Sequence, residues 1–282
     1  MQRTEEPRQP GQPAPGCRPA AVVGVRAGKV FAATDWVADE VPVALEYNGI
    51  SHAVMMATPA DLEDFARGFS LTEGIVDTVD QIRDIELLVS PLGHTLQLQI
   101  AAACFARLKD RRRSLTGRTG CGLCGTDSLA HAVRRPAGVT APATPFDIAA
   151  VARALAALRS RQHLLDATGA THAAAWCHAD GSIALVREDV GRHNALDKLV
   201  GALQVADVAA PSGFIVVTSR ASFEMVQKAA CAGVALLAAI SGVTALAIDV
   251  AEAAGISLLG FARGDNASVY SHPEHIRLEP TP

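Results

Sequence analysis

Two thiols stand three residues apart in the segment Thr119-Gly120-Cys121-Gly122-Leu123-Cys124-Gly125. The glycines around them let the backbone bend freely and let a second molecule approach closely. Arginines at positions 111 to 113 and 118 precede the pair, and cationic neighbours favour the thiolate, which is the nucleophilic form of cysteine. Asp127 is a candidate N-cap for a short helix that follows. The pattern predicts two reactive thiols on a glycine-rich loop near a helix start.

Several interpretations of Cys121 and Cys124 compete. The six cysteines of the chain are irregularly spaced, unlike the disulfide framework of a short secreted protein. A structural zinc site needs four ligands, usually in two close pairs, and the chain has no second Cys-x-x-Cys motif. A thioredoxin-like redox site would need a strand just before the motif, which the polar run 109–118 does not favour. We therefore expect sulfur transfer and no bound metal, although the spacing alone leaves the alternatives open.

Composition excludes some classes of function. The chain has 282 residues, of which 49% are hydrophobic, and a formal net charge of −4. It is long enough for one large domain or two ordinary ones. A general nucleic-acid coat would need a basic surface, and the low aromatic content (4%) disfavours stacking platforms for single strands. We expect no nucleic-acid partner.

One uncharged run deserves comparison with a membrane span. Residues 229–248 carry no charge and are about as long as the bilayer core requires. Alanine is its commonest residue, however, and Ser241-Gly242 interrupts it. A buried helix followed by a buried strand explains it better. No signal-peptide pattern is present at the N-terminus, so we expect a cytoplasmic protein with no membrane partner.

The first part of the chain predicts a small α+β domain over residues 21–120, preceded by a disordered tail over 1–20. Asn48-Gly49 predicts a hairpin turn between strands 41–47 and 50–56, because both residues tolerate positive φ. Thr58-Pro59 predicts a helix start with Thr58 as the cap. Further strands are expected at 22–25, 82–89 and 95–100, and Glu73 is expected to be a surface carboxylate at the helix end.

Residues 121–145, which hold the two thiols and a Pro/Ala/Thr-rich linker, separate this domain from a second one over 146–282. In the second domain apolar runs predict strands that alternate with helices, which is typical of a mainly parallel sheet covered on both faces. We expect an alanine-rich helix from Ser222 to Ile240, a strand over 243–249 and strands at 256–261 and near Val269.

Polar residues cluster where three of these strands end. Residues 188–198 (EDVGRHNALDK) surround one helix start, 219–225 (SRASFEM) another, and 261–266 (FARGDN) follow a third strand. Open α/β sheets bind ligands beyond the carboxyl ends of their strands, and helix starts expose N–H groups to anions. The pattern predicts an anion-binding edge.

These motifs together resemble the formate dehydrogenase accessory sulfurtransferases, the FdhD family. The resemblance extends from about Val41 to the end of the chain. It rests on several motifs in order: residues 120–125, 168–173, 188–198, 218–225 and 263–272. Ala170 and Ser219 stand where the family often has glycine, which affects only local backbone detail.

The resemblance implies a function. The family takes sulfur from a cysteine desulfurase and passes it to the molybdenum bis-guanine-dinucleotide cofactor of formate dehydrogenase. Cys121 matches the cysteine that carries the persulfide, and Cys124 would assist the exchange. The family's cofactor-binding segment matches Phe261, Ala262, Arg263, Gly264, Asp265 and Asn266. Arg192, His193, Arg220 and Lys228 are further candidates to bind the dinucleotide phosphates.

The resemblance also implies a fold and an assembly. The second domain of the family is similar to cytidine deaminases, and the family forms homodimers. The zinc signature of deaminases is absent, because Ala195 stands two residues after His193 and Ser219–Ser222 replaces the cysteine pair. Two alternatives to sulfur transfer remain: a chaperone that holds the molybdenum cofactor without chemistry, and a dithiol oxidoreductase.

Overall fold

A computed structural model describes residues 15–116, 138–206, 208 and 210–279. Side chains of residues 111–116 lie outside that description. Among the described residues, no helix combines the length and the apolar character needed to cross a membrane.

An N-terminal hairpin precedes the first lobe. Strand β1 (Cys17–Arg26) pairs antiparallel with β2 (Lys29–Ala38), and the turn between them uses positive φ at Ala27 and Gly28. Residues 17–20 are therefore strand, and the prediction of a disordered tail up to residue 20 is wrong for them. The hairpin also contacts a helix of the second lobe, residues 163–168.

The first lobe, residues 41–116, is a four-stranded sheet with two helices. Its elements are β3 (Val41–Tyr47), β4 (Ile50–Ala57), α1 (Leu62–Thr72), β5 (Ile82–Ser90), β6 (Gly93–Ile100) and α2 (Ala102–Thr116). The strands lie in the order β4-β3-β6-β5. Asn48 and Gly49 both have positive φ, which confirms the predicted hairpin turn. Phe65 and Phe69 of α1 pack on the buried face of this sheet.

The start of α1 differs from the prediction. The helix begins at Leu62, after Asp61 with φ 54°, and Thr58 does not cap it. Thr58 is fully buried, its N–H donates to Asp189 Oδ2 (3.0 Å), and its Oγ1 accepts from the N–H of Val190 (3.2 Å). A contact with a residue 131 positions away outcompetes the local capping signal.

The second lobe, residues 146–279, has a six-stranded sheet in the order β13-β12-β11-β10-β8-β9. Its strands are β7 (Phe146–Asp147), β8 (His172–His178), β9 (Ile183–Asp189), β10 (Gly213–Val217), β11 (Leu236–Ala239), β12 (Ser257–Arg263), β13 (Asn266–Val269) and β14 (Ile276–Arg277), with β7 and β14 forming a separate parallel pair. Its helices are α3 (Ile148–Leu158), α4 (His163–Thr168), α5 (Arg192–Val205), α6 (Phe223–Cys231) and α7 (Ala245–Ala254). Helices α5, α6 and α7 cover one face and α3 covers the other.

The sheet is mixed, and its parallel pairings are those of β11 with β10 and with β12. β8, β9 and β13 are antiparallel to their neighbours, so the expectation of a mainly parallel sheet holds for its centre alone.

The boundaries predicted for the alanine-rich run are wrong. Helix α6 ends at Cys231 instead of Ile240, and residues 236–239 form the fully buried strand β11. The predicted strand over 243–249 is instead the start of α7, whose cap Thr244 accepts from the N–H of Ala247. A continuous apolar run has no periodicity that separates a buried strand from a buried helix.

Helices α1 and α5 join the two lobes through glycine. A Cβ placed on Gly68 would lie 1.7 Å from the carbonyl oxygen of Asp197, and one placed on Gly201 would lie 1.9 Å from that of Asp64. The two backbones therefore touch directly, which only glycine allows.

Candidate functional site

One edge of the second-lobe sheet collects five of the predicted site residues. Strands β10, β11 and β12 are parallel and end there. The end of β9 lies at the same edge, because Asp189 pairs with His172 and the carbonyl of Ala173 accepts from the N–H of Thr218. We call this the carboxyl edge; it comprises residues 192–193, 218–222, 240–242, 261 and 263.

The start of α5 brings two of the predicted residues to the carboxyl edge. Gly191 is the N-cap, so Arg192 and His193 occupy the first turn, where free N–H groups favour an anion. Both residues are half-buried. Nε of Arg192 is buried without a hydrogen-bond partner among the described residues, and such a donor is costly to leave unpaired.

His193 lies between acidic and basic groups. Its Nε2 is 2.9 Å from Oε2 of Glu224 at the start of α6. Burial lowers the pKa of His193, Arg192 and Lys228 lower it further, and Glu224 opposes them, so the pKa stays below its ordinary value. The imidazole is therefore mostly neutral near pH 7, and an anion beside it would favour its protonation.

The turn between β10 and α6 adds a second helix start. Ser222 stands at the N-cap but makes no side-chain cap hydrogen bond, and its Oγ is buried without a partner among the described residues. Arg220 is exposed and Ser219 is buried. The turn offers N–H groups, a hydroxyl and a guanidinium to a ligand.

The end of β12 divides the predicted cofactor-binding segment between two surfaces. Phe261 is 54% exposed and adopts φ 52°, a left-handed conformation that is uncommon for a bulky residue and often marks function. Its N–H donates to Ser241, and Arg263 Nε donates to the carbonyl of Ile240 (3.0 Å), so both face the carboxyl edge.

The other residues of that segment lie beside α3. Buried Ala262 and exposed Gly264, Asp265 and Asn266 line a cavity of about 260 Å³ whose opposite wall is α3. The segment 261–266 therefore presents an aromatic ring and a guanidinium to one surface and a small-residue turn to another.

Lys228 is not a free cation at the carboxyl edge, because its ammonium group is already paired. Its Nζ is 2.8 Å from Oδ1 of Asp197, 3.0 Å from Oγ1 of Thr72 and 3.3 Å from Oε1 of Glu73. Burial lowers the pKa of Lys228, but Asp197 and Glu73 outweigh it and raise the pKa above its ordinary value. These contacts argue against the prediction that Lys228 binds a phosphate, and Glu73 is part of an ion pair between the lobes rather than a plain surface carboxylate.

Half of the motif 188–198 is likewise structural. Lys198 is fully buried, with its Nζ 2.7 Å from Asp189 Oδ2 and 2.9 Å from the carbonyl of Thr58. Asn194 donates to the carbonyl of Met56 (2.8 Å) and to Asp189 (3.2 Å). The contacts with Thr58 and Met56 hold the start of α5 against the first lobe, and sequence spacing gave no sign of them because these two partners lie over 130 residues away.

The predicted thiols, Cys121 and Cys124, lie outside the described residues. Helix α2, which leads toward them, is described to Thr116, and the description resumes at Gly138. Among the described cysteines, Cys104 and Cys177 are buried and Cys231 is exposed. Burial raises the pKa of Cys177 to about 12, so that thiol is inert at neutral pH.

Comparison with known proteins assigns the chain to a family. The model of the FdhD/NarQ family matches residues 38–277. The chain belongs to the FdhD/NarQ family. This confirms the resemblance found in the sequence.

Individual relatives and a solved structure agree with the family assignment. "Sulfur carrier protein FdhD" of Bordetella petrii is 57% identical over 273 residues, covering 95% of this chain and 98% of that one. The protein of the same name from Variovorax paradoxus is 60% identical over 253 residues, covering 89% and 90%. The crystal structure of a protein named as a formate dehydrogenase accessory protein from Desulfotalea psychrophila superposes with a TM-score of 0.74 at 22% identity, covering 93% of this chain and all of that one. The mixed α/β fold is thus shared, whereas the likeness to cytidine deaminases and the division into two domains stay predictions.

Proposed function

We propose that this protein carries sulfur for the maturation of formate dehydrogenase. Its relatives are named sulfur carrier proteins, and the solved structure of the same fold is named as a formate dehydrogenase accessory protein. Membership of the family over residues 38–277 is the observation that carries this proposal. We propose cytoplasm as its location and a homodimer as its assembly.

In the first step Cys121 receives sulfur from a cysteine desulfurase. The Cys121 thiolate attacks the terminal sulfur of the desulfurase persulfide, a Cys121 persulfide forms, and the desulfurase leaves as a thiolate. The nearby arginines of the sequence favour the attacking thiolate.

In the second step Cys124 releases the sulfur. Its thiolate attacks the Cys121 sulfur of the persulfide, a Cys121–Cys124 disulfide forms, and hydrosulfide leaves with the electron pair. The substrate that takes up this sulfur is the molybdenum bis-guanine-dinucleotide cofactor, and a cellular thiol reductant returns the disulfide to two thiols.

The carboxyl edge is the proposed binding site of that cofactor substrate. Arg192, Arg220 and Arg263 supply positive charge for its phosphates, and guanidinium–phosphate hydrogen bonds are among the stronger ones in proteins. The exposed ring of Phe261 can stack on a guanine or pterin ring. The buried, unpartnered Nε of Arg192 and Oγ of Ser222 support a polar ligand at this position.

Mass spectrometry tests the covalent step. After incubation with a cysteine desulfurase and cysteine, we expect a gain of about 32 Da, one sulfur atom, on the peptide that contains Cys121. Cys121→Ala should abolish the gain and Cys124→Ala should retain it, because Cys124 acts only afterwards. Cys231→Ala, which removes an exposed cysteine of α6, is the matched control.

The outcomes separate the alternatives. A chain that binds guanine nucleotide but never gains sulfur on Cys121 would be a cofactor chaperone. A chain that cycles only between the dithiol and the disulfide, without a persulfide, would be an oxidoreductase.

A further inference from the structure

A turn near the C-terminus, six residues after the segment 261–266, gathers two histidines and a carboxylate. Residues Pro273–His275 form a single 3₁₀ turn, in which residues three apart project on the same side. One donor atom from each of His272, Glu274 and His275 lies within 4.8 Å of the other two. The two imidazole rings are nearly parallel, with centroids 5.3 Å apart.

Both ring nitrogens of His272 face hydrogen-bond acceptors. Nε2 is 3.1 Å from the backbone carbonyl of Glu252 near the end of α7, and Nδ1 is 2.8 Å from Oε1 of Glu274. A neutral imidazole has only one N–H to donate. The Nε2–H donates to the carbonyl, so the position between Nδ1 and the carboxylate calls for a cation: a proton or a metal ion.

The Glu252 contact is what a metal-binding histidine requires. A ligating imidazole almost always donates its other N–H to a carbonyl or carboxylate, which fixes the ring and its tautomer. His272 has this contact already, and its left-handed backbone (φ 46°) is a strained conformation of the kind retained at ligand sites.

His275 completes the donor set. Its side chain is only 14% exposed, and its Nε2 is 4.0 Å from Oε1 of Glu274. Ligands on a tetrahedral zinc ion at about 2.0–2.1 Å are about 3.3 Å apart. The donor atoms lie between 2.8 Å and at most 4.8 Å from one another, so side-chain rotations would have to bring them to that spacing to form the site.

We propose that His272, Glu274 and His275 bind a divalent transition-metal ion of the zinc type. Two imidazoles and one carboxylate suit such an ion better than Mg²⁺ or Ca²⁺, which prefer oxygen. Water takes the fourth position. The ion ties the turn at 272–275 to the C-terminal end of α7, through His272 and its contact with Glu252, and its role is structural.

Zinc titration of the untagged full-length chain tests the site. Cys121→Ser and Cys124→Ser are introduced first, because those thiols would bind zinc themselves. Calorimetry should detect one equivalent of Zn²⁺, and zinc should raise the thermal unfolding temperature. Glu274→Gln and His275→Gln should each weaken binding by about tenfold or more and remove the thermal shift.

His163→Gln is the matched control, since His163 is an exposed histidine at the start of α4. It should leave zinc binding unchanged. Glu274 is exposed, so its variant folds even if a histidine variant does not. Absence of zinc binding in the chain that carries Cys121→Ser and Cys124→Ser, or binding that survives both Glu274→Gln and His275→Gln, would overturn the proposal and leave a proton shared between His272 and Glu274.

Discussion

The start of α5 and its interior use the same types of residue in opposite ways. At the carboxyl edge, Arg192 has a buried Nε without a partner among the described residues, and Arg220 is exposed. One to two turns further along α5, Lys198 is fully buried against Asp189, and Asp197 is buried against Lys228. We propose that the cations at the edge bind a ligand, whereas the buried lysines are already paired with carboxylates of the protein.

The two buried pairs differ from one another as well. Burial lowers the pKa of Lys198 despite Asp189, whereas Asp197 and Glu73 together keep the pKa of Lys228 above its ordinary value. A lysine with two carboxylates is held charged more firmly than a lysine with one. Both pairs lie within the second lobe but bind groups of the first lobe: Thr58 contacts Lys198 and Asp189, and Thr72 and Glu73 contact Lys228. These contacts orient the helix start that carries Arg192 and His193.

The largest expected effect comes from breaking a buried pair. Lys198→Met removes the ammonium and leaves the Asp189 carboxylate buried and uncompensated. We expect a loss of about 3–5 kcal/mol in the free energy of unfolding, measured by urea denaturation. Lys29→Met, at an exposed lysine of β2, is the control and should change stability by less than about 0.5 kcal/mol. A Lys198→Met protein as stable as that control would mean that the buried pair does not join the lobes.

A second prediction concerns ligand affinity, with GDP as the probe. Arg220→Ala should weaken GDP binding by about tenfold, equivalent to about 1.4 kcal/mol for one charged hydrogen bond, with stability unchanged. Lys228→Met should do the reverse, losing stability while the folded protein keeps its affinity within about twofold. Calorimetric titration of both variants, beside Arg83→Ala on the exposed face of β5, measures the difference. If folded Lys228→Met lost affinity for GDP and Arg220→Ala did not, Lys228 would be the ligand-binding residue and Arg220 would not.

The smallest expected effect is a pH dependence at His193. Its pKa lies below the ordinary value of 6.5 in the free protein, and a bound phosphate would raise it. Binding should therefore take up a proton, so GDP affinity should rise, by up to about tenfold, as pH falls from 7 to 5.5. The GDP phosphate titrates in the same pH range and does so equally with either protein. The informative quantity is therefore the difference in pH dependence of GDP affinity between the unmodified protein and His193→Gln. Equal pH profiles for the two proteins would remove His193 from the site.

Local signals in the sequence predicted the elements that local chemistry decides. The Asn48-Gly49 turn and the strands around it form as expected, because two consecutive positive φ angles suit these residues. The edge that holds Arg192, Arg220 and Arg263 also followed from sequence, since strand ends in a sheet meet at a common edge.

Features that depend on distant partners could not be predicted. Thr58 reads as a helix cap and Lys228 as a free cation until Asp189 and Asp197 are placed beside them. Residues 236–239 read as helix because a run of Leu and Ala carries no period that distinguishes a buried strand. The hairpin turn at Ala27-Gly28 was missed because alanine rarely adopts positive φ.

The glycine-to-glycine crossing of α1 and α5 has an evolutionary consequence. With no Cβ at Gly68 or Gly201, backbone meets backbone, and neither position can accept even a methyl group without prising the helices apart. A recombination event could replace one half of the gene with that of a relative. The product would fold only if both glycines were kept, each at the same spacing from the buried lysine and aspartate residues. The two halves are therefore expected to be inherited as one unit rather than shuffled as separate modules.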